Sequence, residues 1–441
     1  MFNIKPEIFA YILVGVLKML MTDVKRYKAE TWDIMQFMFE KFNDHQLHCV
    51  IELDSHIDEN CLKKAVCMST WEFPLITCKF VEKKSSPYWQ SCKFAADDIV
   101  KIIETEKIYE EIEKCIVLKT DTFKGPQLRI NIIRSSTHDC LCIIINHMLC
   151  DAAGFKDYLY MLSYIYSNLK DNPGYTPNFQ MSSRSVKQVL DNFDDLDKVK
   201  IFFSSSQVSK YNGGVYFPLE GDNNSPFVVI HKITNDRVKF IKKYAKESKT
   251  TINDIVIASY IRALYKELHC SHIALPCPVD LRRYIPEKKA QGICNLTSNM
   301  VCDIGKDIGR NYKETLLKVK KSMEHEKKSF SCLNGPMMLE IIFSLLPYKF
   351  AKSLISKSFH NPPIAMTNIG IIDKEKLSFY GAGIKDAYMN GSIKYKPYFQ
   401  VALTTFDDEF TFSVNFCGTQ KDRQKIKSFL QTLDDELPKL I

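Results

Sequence analysis

Hydrophobic and polar positions along the first half of the chain follow two periods, which predict alternating strands and helices. His48–Leu53 alternates as a strand does, and Asp58–Met68 has the period of a helix. Leu128–Ile133 and Cys140–Ile145 are predicted to pair as antiparallel strands across a short polar turn. Lys156–Leu169 is predicted as an amphipathic helix. The pattern therefore predicts an α/β lobe.

Predicted strands and helices also alternate in the second half of the chain. It follows a run of chain-breaking residues at 171–177, which contains Gly174 and two prolines. The elements predicted there are Phe227–Ile233, Asn235–Lys246, Ile252–Leu268, His272–Pro278, Tyr312–Lys328, the hairpin Phe399–Thr405 with Glu409–Phe416, and Arg423–Leu437. A chain of 441 residues exceeds the usual size of one core. We expect an N-terminal lobe at 1–175, a connection at 176–225 and a C-terminal lobe at 226–441.

The extreme N-terminus, 1–24, is predicted to add one helix to the first lobe. Its apolar stretch, Ile8–Met21, contains Lys18 and is short for a bilayer crossing. We expect a packed or peripheral helix there. A helix lying on a membrane surface is the alternative.

The net charge and the cysteines limit which partners, which cellular compartment and which metal sites we expect. The net charge of +8 comes without a polybasic block, so we expect no nucleic-acid partner. The 15 cysteines are odd in number and include no CxxC pair, which predicts buried thiols in a reducing, cytoplasmic compartment. No cluster of histidine and cysteine has zinc-ligand spacing, so no metal site is predicted.

The candidate chemistry lies where the strand ending in Ile143-Ile144-Ile145-Asn146 meets His147. A neutral imidazole at a strand end can accept a proton near neutral pH. Asp151 follows four residues later. The spacing by itself is weak, because a histidine beside apolar residues is commonly a packed core residue.

The segment 146–154 resembles the His-His-x-x-x-Asp-Gly signature of the chloramphenicol acetyltransferase-like, CoA-dependent acyltransferase superfamily. That superfamily includes alcohol acetyltransferases, wax-ester synthases and condensation domains of nonribosomal peptide synthesis. Further similar segments follow in the family's order: Gly125-Pro126-Gln127-Leu128-Arg129, Thr250–Ala258, Cys277–Arg282, Asn295–Asn299 and Thr367-Asn368-Ile369-Gly370. The resemblance implies two α/β lobes, each a mixed sheet with helices, and a tunnel between them.

The same resemblance implies roles for individual residues. His147 would be the general base that activates a hydroxyl or amine acceptor. Asp151 would pair with an arginine of the other lobe, best matched by Arg282, with Arg283 as the competitor. The candidates for substrate contact or for stabilising the oxyanion are Asn146, Gly154, Ser298, Asn299 and Asn368.

Two positions depart from the family pattern. Asn146 replaces the first histidine, and Ala152 stands where glycine is usual, with Gly154 two residues further on. A glycine required for a positive φ or for a close approach would have to act from a shifted place. These departures leave open a catalytically degenerate binding protein.

The expected co-substrate is an acyl-CoA, with no permanently bound cofactor. A stand-alone condensation-type enzyme is the alternative, and it would take a phosphopantetheine-linked acyl or aminoacyl group from an acyl carrier protein. The other partner would be a small alcohol or amine. Because one chain supplies both lobes, we expect a monomer. The lysine-rich helix 312–328 is interpreted as a solvated face.

Overall fold

The computed structural model describes residues 24–178, 180–204, 215–222, 224–268 and 272–439. The predicted helix at Ile8–Met21 lies outside these residues. No helix in the described part of the chain combines the length and the apolar character needed to cross a membrane.

The described strands run in chain order and are labelled accordingly. They are β1 Arg26–Lys28, β2 Gln46–Leu53, β3 Cys78–Val81, β4 Tyr88–Ser91, β5 Val100–Glu104, β6 Leu128–Arg134, β7 Asp139–Asn146, β8 Pro226–Ile233, β9 Ala274–Asp280, β10 Thr297–Asp303, β11 Ile364–Ile371, β12 Ile384–Asn390, β13 Phe399–Phe406 and β14 Glu409–Cys417.

The described α-helices are labelled in the same way. They are α1 Thr31–Met38, α2 Glu59–Ser69, α3 Ala96–Ile99, α4 Ile108–Cys115, α5 Ala152–Asp171, α6 Lys187–Leu190, α7 Asp195–Phe203, α8 Asn235–Glu247, α9 Ile252–Leu268, α10 Tyr312–Ser329, α11 Ser331–Leu345, α12 Tyr348–Ser358 and α13 Gln420–Glu436.

The sheet that carries the candidate histidine has the strand order β12-β2-β7-β6-β5. Strands β6 and β7 pair antiparallel, as the sequence predicts, and β5 adds in parallel to β6. Strand β7 is buried along its whole length. Its side chains alternate between two apolar clusters, with Ile143 and Ile145 on one face and Cys140 and Cys142 on the other. This double burial explains the uninterrupted apolar run before His147.

A second sheet, with the order β11-β13-β14-β8, carries the core of the C-terminal half. The predicted hairpin of β13 and β14 turns at Asp407 and Asp408, whose φ angles of 44° and 60° fit a two-residue turn. The architecture is therefore mixed α/β with two separate main sheets.

Strand β12 belongs to the first sheet although it lies within 226–441. It pairs antiparallel with β2, and its residue Asn390 lies opposite His48. The chain thus returns from the C-terminal half to close the edge of the first sheet. The lobe boundaries themselves stay a prediction.

Two further parts of the chain differ from the sequence-based expectation. Helix α5 begins at Ala152, four residues before the predicted start, because Asp151 caps it by accepting a hydrogen bond from the Gly154 N–H. Helices α11 and α12 fill a stretch in which no element was predicted. Helix α9 has the predicted bounds, and the Thr251 hydroxyl caps it.

Candidate active site

His147 directly follows β7, at the point where its pairing with β2 ends. The register that pairs Gln46 with Asn146 continues by one residue, since the His147 N–H donates to the His45 carbonyl at 2.7 Å. The His147 ring is half-buried. Its Nδ1 lies 3.0 Å from the carbonyl oxygen of Cys150. A carbonyl only accepts, so Nδ1 carries the proton and the lone pair lies on Nε2.

Burial lowers the pKa of His147 below its ordinary value, and the charge of Lys394 lowers it further. Asp151 and the Cys150 carbonyl act in the opposite direction but do not outweigh burial. The imidazole is therefore neutral at neutral pH. No hydrogen bond in the described residues engages Nε2, and this nitrogen is not sealed in the interior.

Asp151 does not contact the His147 ring through a hydrogen bond; its carboxylate points toward the other half of the chain. Oδ2 accepts from Arg282 Nη1 at 3.0 Å, from the Leu296 N–H at 2.7 Å and from the Thr297 hydroxyl at 2.9 Å. Burial alone would raise the pKa of Asp151, but the Arg282 charge and these hydrogen bonds hold it below its ordinary value. Asp151 is thus a buried, fully paired anion.

The structure places Arg282, and not Arg283, against Asp151. Arg282 is buried, and it also donates to the Cys294 carbonyl at 3.0 Å, whereas Arg283 is exposed and lies beside the ring of Tyr284. Burial lowers the pKa of Arg282, but Asp151 and Asp280 together raise it above its ordinary value. The pair joins the start of α5 to the segment after β9.

Gly154 is required because the first turn of α5 lies very close to the backbone of Cys294. A Cβ added there would lie 2.7 Å from the Cys294 carbonyl oxygen and 2.9 Å from the Cβ of Cys150. Ala152 occupies the first position of α5, where alanine suits the helix. The departure at 152 therefore does not disturb the loop, and the glycine is needed where the helix meets the Cys294 backbone.

Asn146, which replaces the first motif histidine, is fully buried and its amide is occupied by protein partners. Its Nδ2 donates to Thr122 Oγ1 at 3.0 Å and to Gln127 Oε1 at 2.7 Å. Its Oδ1 accepts from the Met148 N–H at 2.9 Å. The side chain holds the turn that carries His147.

The three predicted oxyanion donors lie on β10 and β11 of the C-terminal half. Ser298 is buried on the face of β10 opposite to Thr297, and Asn299 is exposed on the same face as Thr297. Asn368 donates to Asn253 Oδ1 at 3.3 Å and accepts from the Gly370 N–H at 2.9 Å. None of the three has a hydrogen bond to the segment 146–151.

Asn295 makes the contact to that segment instead. Its Nδ2 donates to the carbonyls of His147 at 3.1 Å and Met148 at 3.0 Å. The sequence signal was present, because Asn295 opens one of the family-like segments. Its amide fixes the backbone of the turn from across the two halves of the chain.

A second buried ion pair was not expected from the sequence. Arg184 donates in bidentate fashion to Asp33, with distances of 2.9 and 2.8 Å, and also to the Leu149 carbonyl at 2.7 Å. The Trp89 indole N–H donates to the same carboxylate at 2.8 Å. Arg184 thereby ties the connecting segment to the turn after His147, and no local pattern marks it.

Two further titratable residues shape the electrostatics around His147. Lys394 donates to Asn43 Oδ1 at 2.9 Å, and burial lowers the pKa of this lysine to about 8, with Asp44 opposing. Burial also lowers the pKa of His45 to about 4, and the charge of His147 adds to that shift. Neither residue was among the sequence-based candidates.

A cavity of about 580 Å³ lies between α7 and α11, away from His147. Its wall includes Leu190, Phe202, Met337 and Ile341. None of the predicted site residues lines it. The tunnel that the resemblance implies at His147 stays a prediction.

Comparison with protein families matches residues 293–438 to the WS/DGAT C-terminal domain. No curated protein matches the sequence. The matched part contains Asn295, Leu296 and Thr297, which contact the segment 147–151, whereas Arg282 lies before it.

Solved structures share the fold over nearly the whole chain. TRI3 trichothecene 15-O-acetyltransferase from Fusarium sporotrichioides is 15% identical, with 93% of this chain and 94% of that chain covered at a TM-score of 0.70. The first condensation domain of the calcium-dependent antibiotic synthetase, in complex with a substrate analogue, is 12% identical, with 93% and 95% covered at 0.71. The epimerization domain from the third module of tyrocidine synthetase B is 12% identical, with 94% and 95% covered at 0.67. At such identities the likeness establishes the fold.

Proposed function

We propose that this chain, which has the two-lobed fold of the chloramphenicol acetyltransferase-like acyltransferases and condensation domains, transfers an acyl group to a hydroxyl or amine acceptor. His147 acts as the general base. The observation that carries the proposal is the state of the imidazole, with Nδ1–H held by the Cys150 carbonyl and Nε2 unengaged. The match of residues 293–438 to the WS/DGAT C-terminal domain supports acyl transfer as the reaction class.

The chemistry follows from that imidazole. Nε2 takes the proton of the acceptor as its oxygen or nitrogen attacks the thioester carbonyl, and a tetrahedral intermediate forms. The carbon–sulfur bond then breaks, and the proton passes from the imidazolium to the departing thiolate. The products are an ester or amide and a free thiol, so no acyl-enzyme is required. A positioned base of this kind contributes about two to four powers of ten to the rate.

Asp151 and Arg282 are structural in this proposal. The pair fixes the helix start that follows the His147 turn and joins it to the C-terminal half. The turn is then held from three sides, by Asn146 from within the first sheet, by Asn295 and by Arg184. Such support keeps a base in the geometry of the reaction.

The proposed donor is an acyl-CoA. The net charge of +8 favours an anionic co-substrate. A carrier-protein thioester is the second donor in the proposal, since condensation domains share the fold. The cysteines of the described residues are free thiols, which supports the expected cytoplasmic location.

Thiol release from acetyl-, hexanoyl- and palmitoyl-CoA is the direct test, with 1-butanol, 1-octanol, 1-hexadecanol and octylamine as acceptors. We expect saturable turnover with at least one pair, and a loss of about 10²–10⁴-fold in His147→Ala. His360→Ala, which removes an exposed histidine, is the matched control and should keep full activity. Full turnover in folded His147→Ala would refute the role of His147 as the general base. If the protein turns over neither any donor–acceptor pair nor a carrier-bound thioester, the acyltransferase proposal fails and a binding protein remains as the alternative.

A further inference from the structure

His45 lies directly opposite His147 at the end of the β2–β7 ladder. The pairing of Gln46 with Asn146 and of Leu47 with Ile145 puts 45 against 147 in the next step, and the 2.7 Å backbone hydrogen bond joins the two residues. Side chains of directly opposed residues stand about 4.5–5.5 Å apart at Cβ. In keeping with this closeness, a proton on His147 would lower the pKa of His45.

The His45 ring has an unusual environment for a packed histidine. The residue is 8% exposed, and neither Nδ1 nor Nε2 makes a hydrogen bond of ordinary geometry, although the Gln36 carbonyl lies near enough to the ring to raise its pKa. The ring stacks on Phe37 at a centroid distance of 6.3 Å. A buried polar group left without a partner costs about 1–3 kcal/mol, so a ring nitrogen beside a candidate base is stabilised by a ligand that pairs with it.

The protonation state of His45 restricts what that ligand is. Burial first, and then the charges of His147 and Lys119, lower the pKa of His45 to about 4, against a weaker opposing effect of the Gln36 carbonyl. The ring is therefore neutral, with one N–H donor and one lone pair. A neutral hydroxyl or amine matches this pair of atoms, whereas phosphates or carboxylates would need a cation.

We propose that His45 contacts the acceptor in the acyl transfer, with its imidazole hydrogen-bonded to the acceptor's hydroxyl or amino group beside His147. The inference rests on the proposed function and extends it with a second histidine. Phe37 supplies an apolar surface for the body of the same molecule. The acceptor is accordingly uncharged at its reacting end and apolar next to it.

His48 provides a matched comparison on the same strand. It is completely buried, and burial also lowers its pKa to about 4. Its Nε2, however, lies 3.2 Å from the Leu118 carbonyl, and its position in β2 is on the sheet face opposite to that of Leu47 and Cys49. A substitution at 48 therefore alters a buried histidine without touching the proposed acceptor site.

The test measures acceptor and donor kinetics in His45→Phe, His45→Gln and His48→Phe, with the most active donor–acceptor pair of the panel above. His45→Phe keeps the stack on Phe37 and removes both nitrogens. We expect KM for the acceptor to rise about tenfold, while KM for the acyl-CoA stays within about twofold. His45→Gln restores a donor and an acceptor and should recover most of the loss. His48→Phe should leave both KM values unchanged.

An unchanged acceptor KM in folded His45→Phe would overturn the proposal, and so would an equal rise in His48→Phe. A second measurement covers the case in which no pair turns over. Histidine ring resonances of the full chain are followed while 1-butanol is added. A saturable shift at His45, absent at His48, supports the contact even if the acyl transfer fails, and no shift at His45 in a chain without turnover overturns it.

Discussion

Arg282 Nη1 donates to Asp151 Oδ2 at 3.0 Å across 131 residues of chain, and both side chains are almost completely buried. The contact joins the cap of α5 to the segment after β9. The carboxylate oxygen that meets Arg282 also accepts from Leu296 and Thr297. This one atom therefore connects the His147 turn to the part of the chain that matches the WS/DGAT C-terminal domain.

Asp151→Asn should destabilise the fold by roughly 3–5 kcal/mol, because it removes the buried carboxylate that pairs with the Arg282 charge and leaves only the half-exposed Asp280. The free energy of unfolding in urea measures the effect. Asp280→Asn is the control, since Asp280 contacts the same Nη1 at 3.1 Å but its side chain is 48% exposed. We expect it to cost roughly 1 kcal/mol or less. Equal losses in the two variants would contradict the structural role of the buried pair.

Gly154→Ala should lower stability by about 1–3 kcal/mol, because the new methyl would lie 2.7 Å from the backbone oxygen of Cys294. Gly391→Ala is the matched control. Apart from its chain neighbours, a Cβ at Gly391 meets no atom within 4 Å. That change should alter the free energy of unfolding by less than about 0.5 kcal/mol. Equal thermal stability of the two variants would contradict the close approach at Gly154.

The acid limb of kcat/KM should lie below the ordinary histidine value of about 6.5, because burial and Lys394 lower the pKa of His147. The base acts only when unprotonated, so activity is constant near neutrality and falls as pH drops through that pKa. Lys394→Met removes a positive charge and should move the limb to higher pH. Lys396→Met, an exposed lysine two residues away, is the control. A limb that stays in place in Lys394→Met would contradict the electrostatic role of Lys394.

Asp44→Asn should stabilise the protein at pH 8 by about 1–3 kcal/mol. Burial raises the pKa of Asp44 to about 6, with Lys119 opposing, so the folded chain binds a proton that the unfolded chain releases. Stability therefore falls as pH rises from about 4 to about 6, and the deficit persists above that window.

The asparagine keeps the oxygen that accepts from Ile393 and Gln46 and replaces Oδ2, which makes no hydrogen bond and lies 4.0 Å from Lys119 Nζ. Asp195→Asn, at an exposed carboxylate, should leave the free energy of unfolding nearly unchanged. The free energy of unfolding should differ less between pH 4 and pH 8 in Asp44→Asn than in the original chain. The prediction is wrong if the two differences are equal.

Local pattern was sufficient for the strands that lead to the site. The apolar run of β7, the pairing of β6 with β7 and the hairpin at Asp407-Asp408 were predicted, because each depends on neighbours in sequence. The apolar pattern places the start of α5 four residues too late. Asp151 sets the observed start, because an aspartate before small residues also caps a helix.

Long-range pairing decided what local pattern could not. Strand β12 lies more than 300 residues from β2, its partner, and no periodicity within 384–390 indicates which sheet it joins. Arg184 likewise lies in a serine-rich connection, and only the folded chain brings it to Asp33. Such contacts depend on which surfaces meet, and that is settled by packing of the two cores.

The sequence by itself determined that a strand ends at His147, because an apolar run stops there and a helical pattern follows. The burial of that strand on both faces comes from the fold. The tertiary structure alone decided which arginine meets Asp151, why glycine is needed at 154 and which residue faces His147. Those three answers depend on atoms of Arg282, Cys294 and His45, which lie more than 100 residues away along the chain. Only the free energy of packing distant segments together brings them within a few ångströms.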